Sequence, residues 1–598
     1  MEHQSIIGNC QYSALVGADG NVSWMCWPRF DSSFLFGNLV DRKRGGDFSV
    51  QPAAGGLGAQ SYLTNTNVLR TRFSGPDGVF DVIDFAPRFF QHDRYYKPTM
   101  LIRVIDPVEG QPLIKVTCRP TKDYGAQALT ATVGSNHIAY QGGEAPVRLT
   151  TDLSLTRIAE ERPFVLNRRH YLVLTWGTPL EASLRSTCED FLDRTVMYWR
   201  RWVKHCHLPE AYQRPVVRSA LVLKLHQFED TGAIIAATTS SIPEAPASER
   251  NWDYRYCWLR DAYFTVQALM RLSHFDELEG FERFLSDVLR ASPGHVQPLY
   301  GIAGEQEITE RTIDHLSGFQ GCAPFRVGNA AYTQIQNDVY GQALIALAPL
   351  FTDIRFTDDG SQHAQDLLEA LVEGIAASLD LEDAGIWEFR GSKRKHAFTM
   401  LMQWAGATAA AKAATGLGRK ALLEKATSLA SQARERMFAQ FWNKELGTFT
   451  IAEGSHDLDA SMLMAVNLGF LHPDDPRAKS TVNAIVSGLK TESGMLQRYR
   501  CEDDFGETTS CFTVCSLWAA EALARVGQLE EARAMFELVL SYQNATGLLS
   551  EDVEPDSGEQ WGNFPQTYSH VGLINAAFAL QTASESHMSA EQKVDSAP

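Results

Sequence analysis

Residues 398–441 read FTMLMQWAGATAAAKAATGLGRKALLEKATSLASQARERMFAQF, and this stretch decides the fold. Helical periodicity carries 398–415 and again 420–441. Gly416-Leu417-Gly418 falls between them, where the first helix should end. The product is a helical hairpin with a tight turn. Arg525-Val526-Gly527 marks the same kind of break between 511–526 and 529–543. Further helices are expected at 215–228, 259–272, 277–292, 331–350, 364–379, 460–468, 477–489 and 568–582. Twelve helices joined alternately by short turns and long loops are what a closed ring of six hairpins needs. Such a toroid surrounds a central cavity and gathers the long loops at one mouth. A helical solenoid is the alternative, but the sequence contains no repeat to support it.

The first part of the chain has a different texture. Segments 12–16 and 22–26 flank the turn Ala18-Asp19-Gly20-Asn21, and 68–73 and 79–85 flank Gly75-Pro76-Asp77-Gly78. Further strands are expected at 101–105, 113–118 and 171–176. Short strands at such spacing indicate an antiparallel β-sandwich. The expected organisation is therefore a β-sandwich domain over 1–185, a linker helix over 186–210, a helical domain over 211–583 and a disordered polar tail over 584–598. The fold class is mainly α, and a 598-residue chain exceeds what one core usually sustains.

Lys and Arg number 54 against 72 Asp and Glu, a net charge of −18. That balance repels phosphate backbones and anionic lipid, so nucleic-acid and membrane-surface partners are not expected. Met1 to Tyr12 carries no basic stretch followed by an apolar run, and no apolar run approaches the ~20 residues that span a bilayer. The ten cysteines form neither a zinc pattern nor a disulfide framework. They read as reduced thiols in a cytoplasmic protein.

Four clusters interrupt the helical part. Asn251-Trp252-Asp253-Tyr254-Arg255-Tyr256-Cys257-Trp258-Leu259-Arg260-Asp261 interleaves aromatics with arginines and aspartates. Such a mixture makes a poor core segment. It suits a sugar, whose C–H faces stack on rings while its hydroxyls bond carboxylate and guanidinium. A buried ion-pair network at a helix start is the bland reading. In Gly385-Ile386-Trp387-Glu388-Phe389-Arg390-Gly391, Glu388 lies between two aromatics that would desolvate it, while Arg390 would oppose them. Alone it reads as a surface carboxylate. Leu549-Ser550-Glu551-Asp552-Val553-Glu554-Pro555 is an acidic loop, either solvated or a calcium site. The fourth cluster is Gln497-Arg498-Tyr499-Arg500.

Together these clusters resemble glycoside hydrolase family 15, the glucoamylases and the bacterial and archaeal trehalases. The similarity runs from Ile7-Gly8-Asn9-Cys10 and Pro28-Arg29-Phe30-Asp31-Ser32 to Ser569-His570-Val571-Gly572-Leu573-Ile574. Its most specific pieces are the run from Arg250 to Asp261, Val327-Gly328-Asn329-Ala330-Ala331, Gly385-Ile386-Trp387-Glu388 and Gly562-Asn563-Phe564-Pro565-Gln566. The resemblance implies a β-sandwich followed by an (α/α)6 toroid. It also implies an inverting, exo-acting hydrolase that releases β-glucose from trehalose or malto- or isomalto-oligosaccharides. Glu388 matches the general acid and Glu551 the general base. Tyr254, Trp258, Arg260 and Asp261 match the subsite for the terminal glucose, and Trp387, Arg498 and Tyr499 match further sugar contacts.

Inversion explains the need for two distant carboxylates. One protonates the leaving oxygen, while the other activates water on the opposite face of the ring, roughly 6.5–9.5 Å away. The chemistry calls for neither metal nor cofactor. Where the family shows a Thr-His-Ser-Lys-like and then an Ala-x-Asp-Arg-like stretch, this chain has Ala397-Phe398-Thr399-Met400 and later Ala405-Gly406-Ala407-Thr408-Ala409. The departures at Met400 and Thr408 bear on the leaving-group subsite and leave the linkage open. Two other readings compete, an α-glucoside phosphorylase and a non-catalytic sugar-binding protein. A small α-glucoside or oligosaccharide is the expected partner, and the oligomeric state, homo-oligomer included, stays open.

Overall fold

The long loops of the helical half all sit at the N-terminal ends of its inner helices, as a computed structural model of the chain makes plain. The structure describes every residue except 292–295, 357–361, 392 and 596–598. Twelve helices form a ring: α1 (Gln213–Leu225), α2 (Leu259–Arg271), α3 (Asp276–Ala291), α4 (Val339–Leu347), α5 (Gln362–Ser378), α6 (Ala397–Gly416), α7 (Lys420–Arg436), α8 (Met464–Asn467), α9 (Pro476–Leu489), α10 (Thr513–Arg525), α11 (Leu529–Ser541) and α12 (Thr567–Asp595). The even-numbered helices follow one another around the ring, α6 meeting α8 through the 3-10 turn Ala460–Leu463 that leads into it, and α12 closes on α2. The odd-numbered helices pack outside them. This is the (α/α)6 toroid.

Patterning explains which helix goes where. Helix α6 is apolar or small on nearly all sides, Thr399 to Met402 and Ala405 to Ala407 included, and is buried along most of its length. Its hairpin partner α7 buries Leu422, Ala426, Leu429 and Ala433 on one stripe and turns its charged residues outward. A helix that is hydrophobic all round has to be inside, and one with a single apolar stripe lies over it.

Three boundaries differ from expectation. The span 331–350 is not one helix: a 3-10 turn at Ala330–Thr333 gives way to an irregular stretch before α4 starts at Val339. There the Asn337 N–H goes to Asp383 Oδ2 at 2.9 Å instead of to the preceding turn. Pro349, which has no N–H, opens a separate short helix. The span 511–526 begins as a two-residue strand, Cys511–Phe512, paired with Asp552–Val553. The segment expected to be a disordered tail from 584 continues α12 to Asp595, and 596–598 lie outside the described residues, as does residue 292 of the expected helix 277–292.

Ahead of the ring stands an antiparallel β-sandwich. One sheet has eight strands, with Met100–Gly110 and Gly78–Phe85 near its middle. Facing it are a meander from Gln4–Gly8 to Phe34–Phe36 and a three-stranded sheet around Leu113–Arg119. Buried Arg103 staples the layers: it pairs with Asp84 at 2.7 Å and donates to the carbonyls of Phe48 and Gly20, each at 2.7 Å. The helix Leu184–Lys204 joins the two halves, burying Trp199 and Trp202. Apolar residues from both halves, Trp24 and Phe34 among them, share one core. All ten cysteines are free thiols.

Candidate active site

The segment from Trp252 to Tyr256 is extended, so its side chains alternate between two faces. Asp253 and Arg255 turn toward the sandwich as a fully buried ion pair at 2.6 Å, and Arg255 also donates to the Ser32 carbonyl at 2.7 Å and the Tyr124 hydroxyl at 3.1 Å. Trp252 and Tyr254 turn the other way, into a pocket at the ring's mouth. The ion-pair reading thus describes Asp253 and Arg255, while Trp252 and Tyr254 are left to line the pocket. Trp258 then ends the strand and begins α2, which brings Arg260 and Asp261 to the same pocket from its first turn.

The pocket gathers residues from several loops. Tyr254, Trp258, Arg260, Asp261, Trp387, Glu388, Arg498, Tyr499 and Glu551 all line it. Met400 is buried in α6, and the Thr408 hydroxyl bonds back to the Trp404 carbonyl at 2.8 Å; neither lines the pocket.

Glu388 sits in the loop 385–391 with a left-handed backbone, φ 59°. One of its oxygens, Oε1, accepts from Trp258 Nε1 at 2.7 Å, Arg260 Nη2 at 2.9 Å and Gln336 Nε2 at 3.3 Å. The cation beside it is therefore Arg260. Arg390, its neighbour in sequence, pairs with Glu310 at 2.9 Å instead. Next door, Trp387 is locked by a 3.0 Å bond from its indole N–H to Asp459.

Glu551 comes from the α11–α12 loop and is 2% exposed. Its backbone carbonyl accepts from Thr513 N at 2.9 Å, so the first residue of α10 holds it. Oε2 accepts from the Asn563 N–H at 3.0 Å, while Oε1 has no hydrogen-bond partner among the described residues. Gly562 explains how the loop closes so tightly: its φ is 74°, and a Cβ there would stand 2.6 Å from the Glu551 Cβ. Burial first, and then the negative charge of Glu244, raise the Glu551 carboxyl above its ordinary range; the Tyr254 hydroxyl, the Asn563 N–H and then Arg498 work against them. Burial likewise pushes Asp261 up to about 7.

Sequence reasoning missed several lining residues. Glu244, Arg250, Gln334, Asp503, Phe505, Gln566 and Tyr568 also face the pocket. Glu244 holds Arg498 by two bonds, at 2.7 and 3.2 Å, and Arg250 pairs with Asp503. Glu244, Glu551 and Asp552 bring carboxylate oxygens within 4.8 Å of one another, with Arg498 supplying the positive charge. The expected acidic loop thus divides: Glu551 and Asp552 are buried, and Glu554 caps a turn at the surface.

A pocket with aromatic walls, two carboxylates on separate loops and guanidinium groups between them matches a known class. The model for glycosyl hydrolases family 15 matches residues 210–578, and a trehalase-like N-terminal model matches 1–162. The chain belongs to glycosyl hydrolases family 15. It is 32% identical to the trehalase of Mycolicibacterium smegmatis over 97% of this chain and 91% of that one. Against the trehalase of Thermoplasma volcanium the identity is 29%, over 98% and 94%. A bacterial glucoamylase solved with acarbose shares the fold, with a TM-score of 0.70 at 14% identity over 97% and 94% of the two chains. The protein is a glycoside hydrolase. Among the described residues, no helix is long and apolar enough to cross a membrane.

Proposed function

We propose that this hydrolase releases glucose from a small α-glucoside, trehalose foremost, with inversion at the anomeric carbon. Glu388 donates a proton to the leaving oxygen, and Glu551 takes one from the attacking water. The observation that carries this reading is the asymmetry of the two carboxylates. Glu388 has all three of its side-chain hydrogen bonds on Oε1. Buried Glu551 has its one on Oε2, with Oε1 unpaired. Each therefore has one oxygen committed to positioning and one to spare for chemistry. Tyr254, Trp258, Arg260, Asp261, Trp387, Arg498 and Tyr499 grip the terminal glucose.

The leaving sugar then meets the outer rim. There Trp252 lies under Arg390 at 4.1 Å and against Phe505 at 5.3 Å, beside the Arg250–Asp503 pair. Trehalose as substrate is supported by the trehalases that match nearly the whole chain.

The test is a panel of α-glucosides assayed for glucose, with NMR of the anomer first released. Trehalose should be cleaved, and β-glucose should lead. Early α-glucose would overturn inversion. Glucose 1-phosphate formed in phosphate buffer would replace hydrolysis with phosphorolysis, and no cleavage of any member would overturn the proposed substrate class.

A further inference from the structure

Glu244 belongs to the segment Ser240-Ser241-Ile242-Pro243-Glu244-Ala245-Pro246, whose composition is that of an exposed connector. It is nevertheless 4% exposed. The segment is bonded into the loop that holds Glu551: Gly562 N–H donates to the Pro243 carbonyl at 2.7 Å, and Thr239 Oγ1 donates to Asn563 Oδ1 at 2.9 Å. Asn563 in turn donates its N–H to Glu551. Glu244 and Glu551 are thus held at a fixed spacing by backbone.

The local charge count is unbalanced. Glu244, Glu551 and Asp552 lie together, and Arg498 is the guanidinium among them. Tyr254 faces Glu551 from the extended segment, and the Arg250–Asp503 pair stands next to Glu244 and Arg498. Three buried carboxylates cannot all ionise beside one cation at low cost. Glu244 accepts both of the hydrogen bonds that Arg498 makes through its side chain, as a bidentate guanidinium–carboxylate pair. Asp552 has only the Ser510 hydroxyl on Oδ1, at 2.7 Å, and an unpaired Oδ2, so it is the member suited to keep a proton.

We infer that Glu244 is a positioning residue for hydrolysis: by occupying Arg498 it limits how much positive charge reaches Glu551, and so makes Glu551 a more willing acceptor of the proton from water. This rests on Glu551 being the base. Glu244 itself does not touch that proton. Its negative charge raises the proton affinity of Glu551 directly, and its grip on Arg498 does so indirectly.

The experiment is the pH profile of kcat/KM on trehalose for E244Q, E244D, R498Q and E551Q, with folding checked by circular dichroism. E244Q removes the negative charge and frees Arg498, so the acidic limb should move to lower pH by about one unit or more, the size of effect a charge within ~4–6 Å exerts. E244D keeps the charge and should leave the limb near its wild-type position. R498Q removes the opposing charge and should move the limb the other way, so the sign can be read even if E244Q does not fold. An acidic limb unmoved in whichever of E244Q or R498Q folds would overturn the inference and make the pair merely structural. If E551Q kept near-normal activity, the reading of Glu551 as base would fail instead, and the two failures are distinguishable.

Discussion

The Trp258 indole N–H donates to Glu388 Oε1 at 2.7 Å, and Trp258 is also the N-cap residue of inner helix α2. The carboxylate assigned as acid is thus aimed by a rigid element, not by its own loop. Arg260 and Gln336 add their bonds to the same oxygen, and none of the described residues bonds to Oε2. On the proposed reading, Oε2 is the oxygen left to face the leaving group.

E388Q should therefore do damage in proportion to how much the leaving group needs protonation. Trehalose turnover should fall by ~10²–10⁴-fold, the usual contribution of a general acid. An α-glucosyl fluoride, whose leaving group needs little help, should be partly spared. Steady-state kinetics on the two substrates decide the matter, and equal losses would remove the acid role from Glu388.

E551Q should behave differently, because every substrate needs an activated water. Turnover of trehalose and of the fluoride should fall together, again by ~10²–10⁴-fold. A variant that stays folded yet spares the fluoride would mean that Glu551 is not the base.

How much of this was legible in the sequence depended on what kind of signal each residue leaves. The ring was legible because helical periodicity and Gly breaks are local, and α6 and α7 fall within a residue of expectation at the hairpin turn. The nine site residues expected from motif similarity do line one pocket. Glu244 left no trace, since a glutamate in a Pro- and Ala-rich stretch looks solvated until Arg498, 254 positions away, buries it. Gln334 and Gln336 were hidden by an Ala- and Tyr-containing run that reads as the start of a helix. The Asn337 N–H bond to Asp383 pulls it into a loop. The division of the 251–261 cluster into a structural and a pocket face was equally invisible, because sequence does not say which face of an extended segment meets the sandwich.

G562A tests how closely the loop around Glu551 is fitted. The backbone there is left-handed, and the new Cβ would meet the Glu551 side chain at 2.6–2.8 Å. Backbone strain of this kind costs about 1–3 kcal/mol. The clash falls on the proposed base, so kcat should drop by about tenfold or more, while thermal unfolding shows only the modest loss. Unchanged kcat with a lowered melting temperature would mean that Glu551 tolerates displacement and that its geometry is not critical.

D261N separates a substrate contact from a structural ion pair, and pH gives the sign. Burial raises the Asp261 carboxyl from the ordinary 3.8 to about 7, with Arg260 opposing and Glu388 adding to the shift. Between those two values the folded protein holds a proton that the unfolded chain has released, so this group makes stability fall as pH rises. Asn is permanently neutral and removes that slope. D261N should consequently be at least as stable as the wild type at pH 7. Its advantage should be no more than a few kcal/mol, at roughly 1.4 kcal/mol per pH unit, and should nearly vanish near pH 4, where wild-type Asp261 is protonated in the folded state and about half protonated in the unfolded one. Arg260 is not left stranded, because its distance to Asp261 is already 4.0 Å and it keeps Glu388 and Gln336. Activity should nonetheless suffer, with KM for trehalose rising by about tenfold as a carboxylate acceptor is lost from the wall of the pocket. Denaturant unfolding at pH 4 and pH 7, beside steady-state kinetics, reads both effects. If D261N instead lost ~3–5 kcal/mol at pH 7, as breaking a buried ion pair does, Asp261 would be a structural partner of Arg260 and its place in the sugar site would have to be given up.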